Sequence, residues 1–259
     1  MLINTYLTLK VIKIENQTYK FIIIERKGKA AIIRFNRPEK KNAFSEVMRS
    51  EILDALSLLK EEKRIKTIIF YGGEDFFSAG FDRDEVQAVI QGERDYQSFV
   101  DSNHLFHQTI FEYPKLMIAA VNGYALAGAF DLAVICHLRV ASKGALFGHP
   151  EIRFGACPLF FPYMTLVGRG KALEIVLNTG TRETFLTAEE AYRLNILNKL
   201  VEKGEVLDIA IKMAKQINQS PEFAVSQLIQ VNNIFFNQGE KFDAEIDYIL
   251  DKMKALLNK

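Results

Sequence analysis

The chain has 259 residues with 33 Lys and Arg against 32 Asp and Glu, so its formal net charge of +1 gives no reason to expect nucleic acid or an anionic membrane as a partner. At 49% apolar and 25% charged residues it is an ordinary globular composition, sized for one large domain or two small ones, and extensive disorder is excluded. Cys136 and Cys157 are too few for a disulfide framework and lack CxxC spacing, so a structural zinc site is not expected either.

MLINTYLTLK lacks the basic start and apolar run of a secretory signal. The most apolar stretch, residues 123–136, contains Asp131 and falls short of the ~20 apolar residues of a membrane span. A soluble, cytoplasmic protein is expected. In chain order, β-branched and aromatic residues broken by polar turns predict strands over 7–14, 19–25 and 30–35, the last ended by Asn36-Arg37-Pro38. Ser45 then caps a helix in which Val47, Met48, Ile52, Leu56 and Leu59 recur at helical spacing. Residues 67–71 read as a buried strand stopped by Gly72-Gly73, and strand, helix, strand implies a parallel pair, because parallel strands need a long connection. A helical region over 84–111, a buried strand over 116–121, a buried helix over 127–135 and short strands over 138–141 and 145–147 follow. Helix formers dominate from Gly170 onward, over 172–177, 187–194, 206–217 and 221–236, with Thr187 and Glu190 forming a T-x-x-E cap. The expected organisation is an α/β body, 1–195, followed by a helical region, 196–259.

Small residues gather where strands meet helices in three segments, Phe77-Ser78-Ala79-Gly80-Phe81-Asp82, the run from Asn122 to Asp131, and Phe147-Gly148-His149-Pro150-Glu151. Such places let a ligand approach the backbone, and the free amides of a first helical turn can face a developing oxyanion. Any one segment alone reads first as close packing of helix on strand. Together with Asn36-Arg37-Pro38-Glu39-Lys40-Lys41-Asn42-Ala43, and in this order and spacing, they make the chain resemble the crotonase (enoyl-CoA hydratase/isomerase) superfamily from about residue 32 to 201.

The resemblance implies an α/β fold, a spiral of repeated ββα units, with C-terminal helices that mediate a trimer or a dimer of trimers. It implies acyl-CoA thioester substrates, with coenzyme A as part of the substrate and no metal or redox cofactor. An oxyanion hole is implied at the backbone N–H groups of Phe81 and Gly128, and the bulky Phe81 ring is expected to reshape the acyl pocket. The two family glutamates, 20 residues apart, fall on Asp131 and Glu151, since 151 − 131 = 20. Glu151 is then the group that moves a proton at the substrate's α or γ carbon. Asp131 is one methylene shorter than the family residue, a withdrawal on the order of 1 Å, and misplacement of that size costs ~100-fold in rate. The CoA moiety is expected on Lys41, Ala43, Ser78, Ala79 and Asp82. The usual phosphate-binding lysine is replaced by Asp84 beside Arg83, leaving Lys252 and Lys254 of a neighbouring subunit as a further source of charge.

After Glu151, Gly155-Ala156-Cys157-Pro158-Leu159-Phe160-Phe161-Pro162 places bulky groups where many relatives have a Gly-rich turn, implying a narrower or differently shaped acyl chamber. Cys157 reads as a buried packing cysteine. His104 and His107 lack a third metal ligand in reach, His137 joins a helix to a strand, and His149 is placed either to orient Glu151 or to pack. Hydration of a 2-enoyl-CoA is the leading expectation. Isomerisation of 3-enoyl to 2-enoyl-CoA through Glu151 alone, or a catalytically impaired acyl-CoA-binding paralogue, are the alternatives.

Overall fold

The computed structural model describes residues 10–11, 18–235, 244–245 and 247–248. In chain order the strands are β1 (Lys10–Val11), β2 (Ile22–Lys27), β3 (Ala30–Phe35), β4 (Thr67–Tyr71), β5 (Phe76–Ser78), β6 (Leu116–Val121), β7 (Tyr124–Leu126), β8 (Leu138–Ser142), β9 (Leu146–Gly148), β10 (Leu186–Thr187) and β11 (Lys199–Val201). The helices are α1 (Glu46–Glu61), α2 (Arg83–Ile90), α3 (Tyr96–Phe111), α4 (Gly128–Ile135), α5 (Phe161–Val167), α6 (Arg169–Asn178), α7 (Ala188–Arg193), α8 (Val206–Ile217) and α9 (Glu222–Phe235).

Two sheets organise them. The larger runs β1-β2-β3-β4-β6-β8-β11, antiparallel up to β3 and parallel beyond it. The smaller runs β10-β9-β7-β5, with β5, β7 and β9 parallel. Each turn of the chain therefore lays one strand in the large sheet and the next in the small sheet before a helix returns it: β4, β5 and α2, then β6, β7 and α4, then β8, β9 and the helices that follow. This is the expected spiral of ββα units. β4 and β6 are buried at every position, which is why they read as unbroken apolar runs rather than alternating ones.

The core has two layers. One fills the space between the sheets and α1, α3 and α4, while the other lies between the large sheet and α8 and α9, around Ile69, Ile118, Ala210, Ala214 and Ile229. The large sheet continues past residue 195, because β11 pairs with β8. Among the described residues, no helix is long and apolar enough to cross a membrane.

Several expectations need correction. Val47 is exposed, one position off the Met48, Ile52, Leu56 and Leu59 stripe and so about 100° away from it. The helical region over 84–111 is two helices, broken where Gly92 turns with φ +71° and restarted by Asp95, whose carboxylate accepts from Ser98 N at 2.7 Å. Ser45 and Thr187 do cap their helices, accepting from Met48 N and Glu190 N at 3.3 and 3.2 Å. Cys157 is exposed and only Cys136 is buried. Of the strand expected over 7–14, only Lys10–Val11 lies within the described residues, and Lys252 and Lys254 lie outside them.

Candidate active site

The small sheet gathers the three small-residue segments, because each follows the end of one of its parallel strands: residues 79–82 after β5, 127–131 after β7 and 149–151 after β9. Sequence patterning did not show this sheet's role. Of its three-residue strands, β9 was expected over 145–147, while β5 and β7 carry too short a pattern to read.

At the first segment, Phe44 bridges Phe81: Phe44 N donates to Gly80 O at 2.7 Å and Asp82 N donates to Phe44 O at 3.3 Å. Such a bridge takes the groups of residues 80 and 82 and turns the Phe81 N–H to the opposite side. Buried Arg49 holds the Phe44 carbonyl from Nη1 at 2.8 Å and stacks its guanidinium 5.5 Å from the Phe81 ring. The ring therefore packs inward, edge-on to His107 at 5.5 Å, and against Gly128 so closely that a Cβ there would lie 2.4 Å from its Cε2.

At the second segment, Ala127 has φ +51° and ψ −132°, a conformation that L side chains rarely adopt, and its N–H donates to Gly148 O at 2.8 Å. The turn starts α4 with Gly128, whose N–H, in the first helical turn, has no carbonyl within the helix to bond. The two segments touch, since a Cβ on Gly80 would lie 3.3 Å from Gly128 N. Every residue of α4 is buried, including Asp131, which is 4% exposed.

At the third segment, Pro150–Phe154 forms a 3-10 turn led by His149. His149 Nδ1 lies 2.9 Å from Glu151 Oε1, and buried Tyr163, from α5, donates its hydroxyl to Asp131 Oδ1 at 3.0 Å. Ligand atoms of Asp131, His149 and Glu151 all lie within 4.8 Å of one another, and the direct 2.9 Å contact is ion-pair geometry rather than two ligands parted by a metal. Burial pushes the Asp131 carboxyl up to about 8; the charge of Glu151 adds to this, while His149 and the Tyr163 hydroxyl oppose it. For His149, burial works to lower the imidazole, but the Glu151 charge and hydrogen bond outweigh it and hold the group above its ordinary value. The Tyr163 hydroxyl is raised well above the usual range by burial and by Asp131. Glu245 accepts from the N–H groups of Phe160 and Phe161 at the start of α5, which fixes the helix that carries Tyr163. Neither Tyr163 nor Glu245 was legible in the sequence, since no spacing ties them to Asp131.

The segments holding Lys41, Ala43, Ser78 and Ala79 are tied edge to edge. Ala79 N donates to Lys41 O at 3.0 Å and Ser78 Oγ donates to Asn42 O at 2.7 Å, with Lys41 and Asn42 both at positive φ. The Asn42 side chain donates to Gly72 O at 2.7 Å and Phe77 O at 3.2 Å, and accepts from Arg37 N at 3.0 Å. Asp82 is taken up internally: it is ion-paired with Arg37 and caps α2 by accepting from Asp84 N at 2.9 Å. Burial acts to raise its carboxyl, but Arg37 and the cap outweigh burial and hold it below the ordinary value. Asp84 is paired with Lys40 at 2.7 Å.

The sequence profile of the family described as Enoyl-CoA hydratase/isomerase matches residues 25–247. The chain is 35% identical over 226 residues to the "Probable enoyl-CoA hydratase, mitochondrial" of Dictyostelium discoideum, covering 85% of this chain and 79% of that protein. It is 32% identical over 219 residues to the "Short-chain-enoyl-CoA hydratase" of Clostridium acetobutylicum, covering 82% and 80%. The crystal structure of an enoyl-CoA hydratase/isomerase from Xanthobacter autotrophicus Py2 superposes with a TM-score of 0.81 at 28% identity, covering 90% of this chain and 87% of that one. The chain belongs to the enoyl-CoA hydratase/isomerase family.

Proposed function

We propose that this protein is an enoyl-CoA hydratase, adding water across the double bond of a 2-enoyl-CoA. The observation that carries the reading is the convergence of two carboxyl groups, Asp131 and Glu151, within 4.8 Å of each other and on the helix and turn next to the Phe81 and Gly128 amides. With the thioester oxygen on those two N–H groups, the charge that develops there meets fixed donors, and one such donor is typically worth ~3 kcal/mol. The water oxygen bonds C3 and its proton passes through the Glu151 carboxylate to C2, so Glu151 ends as it began. Asp131, protonated near neutral pH and steadied by Tyr163, orients the water.

One observation favours the isomerase alternative. The Asp131 carboxyl is buried and already engaged by Tyr163, which leaves Glu151 to carry a proton between the α and γ carbons by itself. A panel of 2-enoyl and 3-enoyl-CoA esters with wild type, Glu151→Gln and Asp131→Asn separates the two. Hydration is expected in the wild type, reduced ~1,000-fold by Glu151→Gln and ~100-fold by Asp131→Asn. Isomerisation lost only in Glu151→Gln would move the assignment to an isomerase, and acyl-CoA binding without turnover would make the chain a binding paralogue.

We place the CoA moiety on the backbone of Lys41, Ala43, Ser78 and Ala79, supported by the direct bonding of these two segments, with Asp82 acting through its bond to Arg37. A homotrimer or dimer of trimers is supported by the apolar side chains exposed on α6 and α9, Leu177, Phe223 and Leu228 among them. A reducing, cytoplasmic setting fits two free cysteines.

A further inference from the structure

His149 is fully buried and its ring has no freedom to swing. Phe130 stacks on its face with centroids 5.1 Å apart and Tyr163 meets it edge-on, also at 5.1 Å. Its backbone N–H is anchored on Thr179 O at 2.8 Å, in the loop after α6. An ionised carboxylate only accepts, so the proton of the 2.9 Å contact with Glu151 Oε1 sits on Nδ1. That bond leaves Glu151 Oε2, like His149 Nε2, buried with no hydrogen-bond partner among the described residues. Unpaired buried polar atoms are costly, and in a carboxylate whose other oxygen is firmly held, Oε2 is the oxygen left free to bond a substrate proton.

We propose that His149 is a positioning residue for the reaction: from a ring clamped by Phe130 and Tyr163 it holds Glu151 Oε1, so that Oε2 is the single oxygen that exchanges a proton with the substrate. The proposal rests on Glu151 being the proton carrier. The titratable groups around the pair are Asp131 of α4, Tyr163 of α5, Cys157 of the preceding loop and Glu245 beyond it. None of these offers Glu151 a donor in its place, so the group that meets Glu151 from within this cluster is His149 Nδ1. Its raised imidazole, set by Glu151, agrees with that placement.

Two variants and one spectrum test it. His149→Phe keeps a planar ring but has no donor, and is expected to lower kcat about 100-fold with KM changed less than about threefold, the signature of a misaimed group rather than lost binding. His149→Gln offers an amide donor of similar reach and is expected to recover kcat to within about tenfold of wild type. A His149→Phe enzyme within threefold of wild type, or a folded His149→Gln as impaired as His149→Phe, overturns the proposal. Thermal melts establish folding, and if His149→Phe does not fold, His149→Gln and the spectrum decide. In 15N-histidine NMR of the wild type, the His149 Nδ1 resonance is expected to report a protonated nitrogen at neutral pH and to move in Glu151→Gln; no movement overturns the pairing. If the wild type turns over no enoyl-CoA, the functional reading fails by itself, and the spectrum still decides whether His149 holds Glu151.

Discussion

A single carboxyl sets the pH response expected of this protein. Asp131 sits on a helix with no exposed residue, and burial raises its folded-state value from the ordinary 3.8 to about 8. The folded chain therefore holds a proton that the unfolded chain releases. The stabilisation from that proton is complete below about pH 4 and declines as pH rises toward about 8. His149 adds to the same trend, because its folded value is also raised and its share is lost as pH climbs through it. Asp131→Asn removes the larger of these dependences. Its melting temperature is expected to exceed that of wild type by more at pH 8 than at pH 5, even as turnover falls. Melts at the two pH values check this, and an equal shift at both would show that Asp131 is ionised in the folded protein.

Segments that carry no obvious chemistry hold the site together at the scale of elements. Arg37 ties the loop before α1 to the start of α2, donating to Ala43 O at 2.9 Å and pairing with Asp82. Both side chains are largely buried, and removing one partner of a buried pair leaves the other charge uncompensated. Arg37→Ala is expected to cost about 3 kcal/mol in urea unfolding and to raise the KM for acyl-CoA, because the segments bearing Lys41, Ala43, Ser78 and Ala79 lose one of the ties that hold them together. α4 begins in a turn that tolerates little change. Gly128→Ala would place a Cβ 2.4 Å from the Phe81 ring, and the adjustment is expected to destabilise by about 1–3 kcal/mol and to cut kcat at least tenfold. Adding Phe81→Leu to Gly128→Ala restores room, so a double variant with higher kcat than the single one is the expected result. Ala127, at φ +51°, bears strain in the same turn, and Ala127→Gly is expected to raise stability by about 1 kcal/mol in urea unfolding.

For the molecule as a whole, the apolar residues left exposed on α6 and α9 predict self-association. Sedimentation should show a trimer or its dimer, and Leu177→Glu combined with Leu228→Glu should shift it toward monomer. The register of Asp131 and Glu151 came through the family resemblance, whereas the long buried strands β3, β4 and β6 and the caps at Ser45 and Thr187 were legible in the sequence because each depends on residues close in the chain. Their periodicity or spacing carries the information by itself. Of the small sheet only β9 was legible, because three-residue strands such as β5 and β7 gain stability from pairing with each other and not from local pattern. The inward packing of Phe81, the exposure of Cys157, the internal pairing of Asp82 and the Tyr163 contact to Asp131 were likewise settled in three dimensions. The sequence by itself determined which chemical groups this protein carries and in what order. Only the tertiary structure decided which of them are buried and which are paired, since burial and long-range contact follow from how distant segments pack and not from any residue's neighbours in the chain.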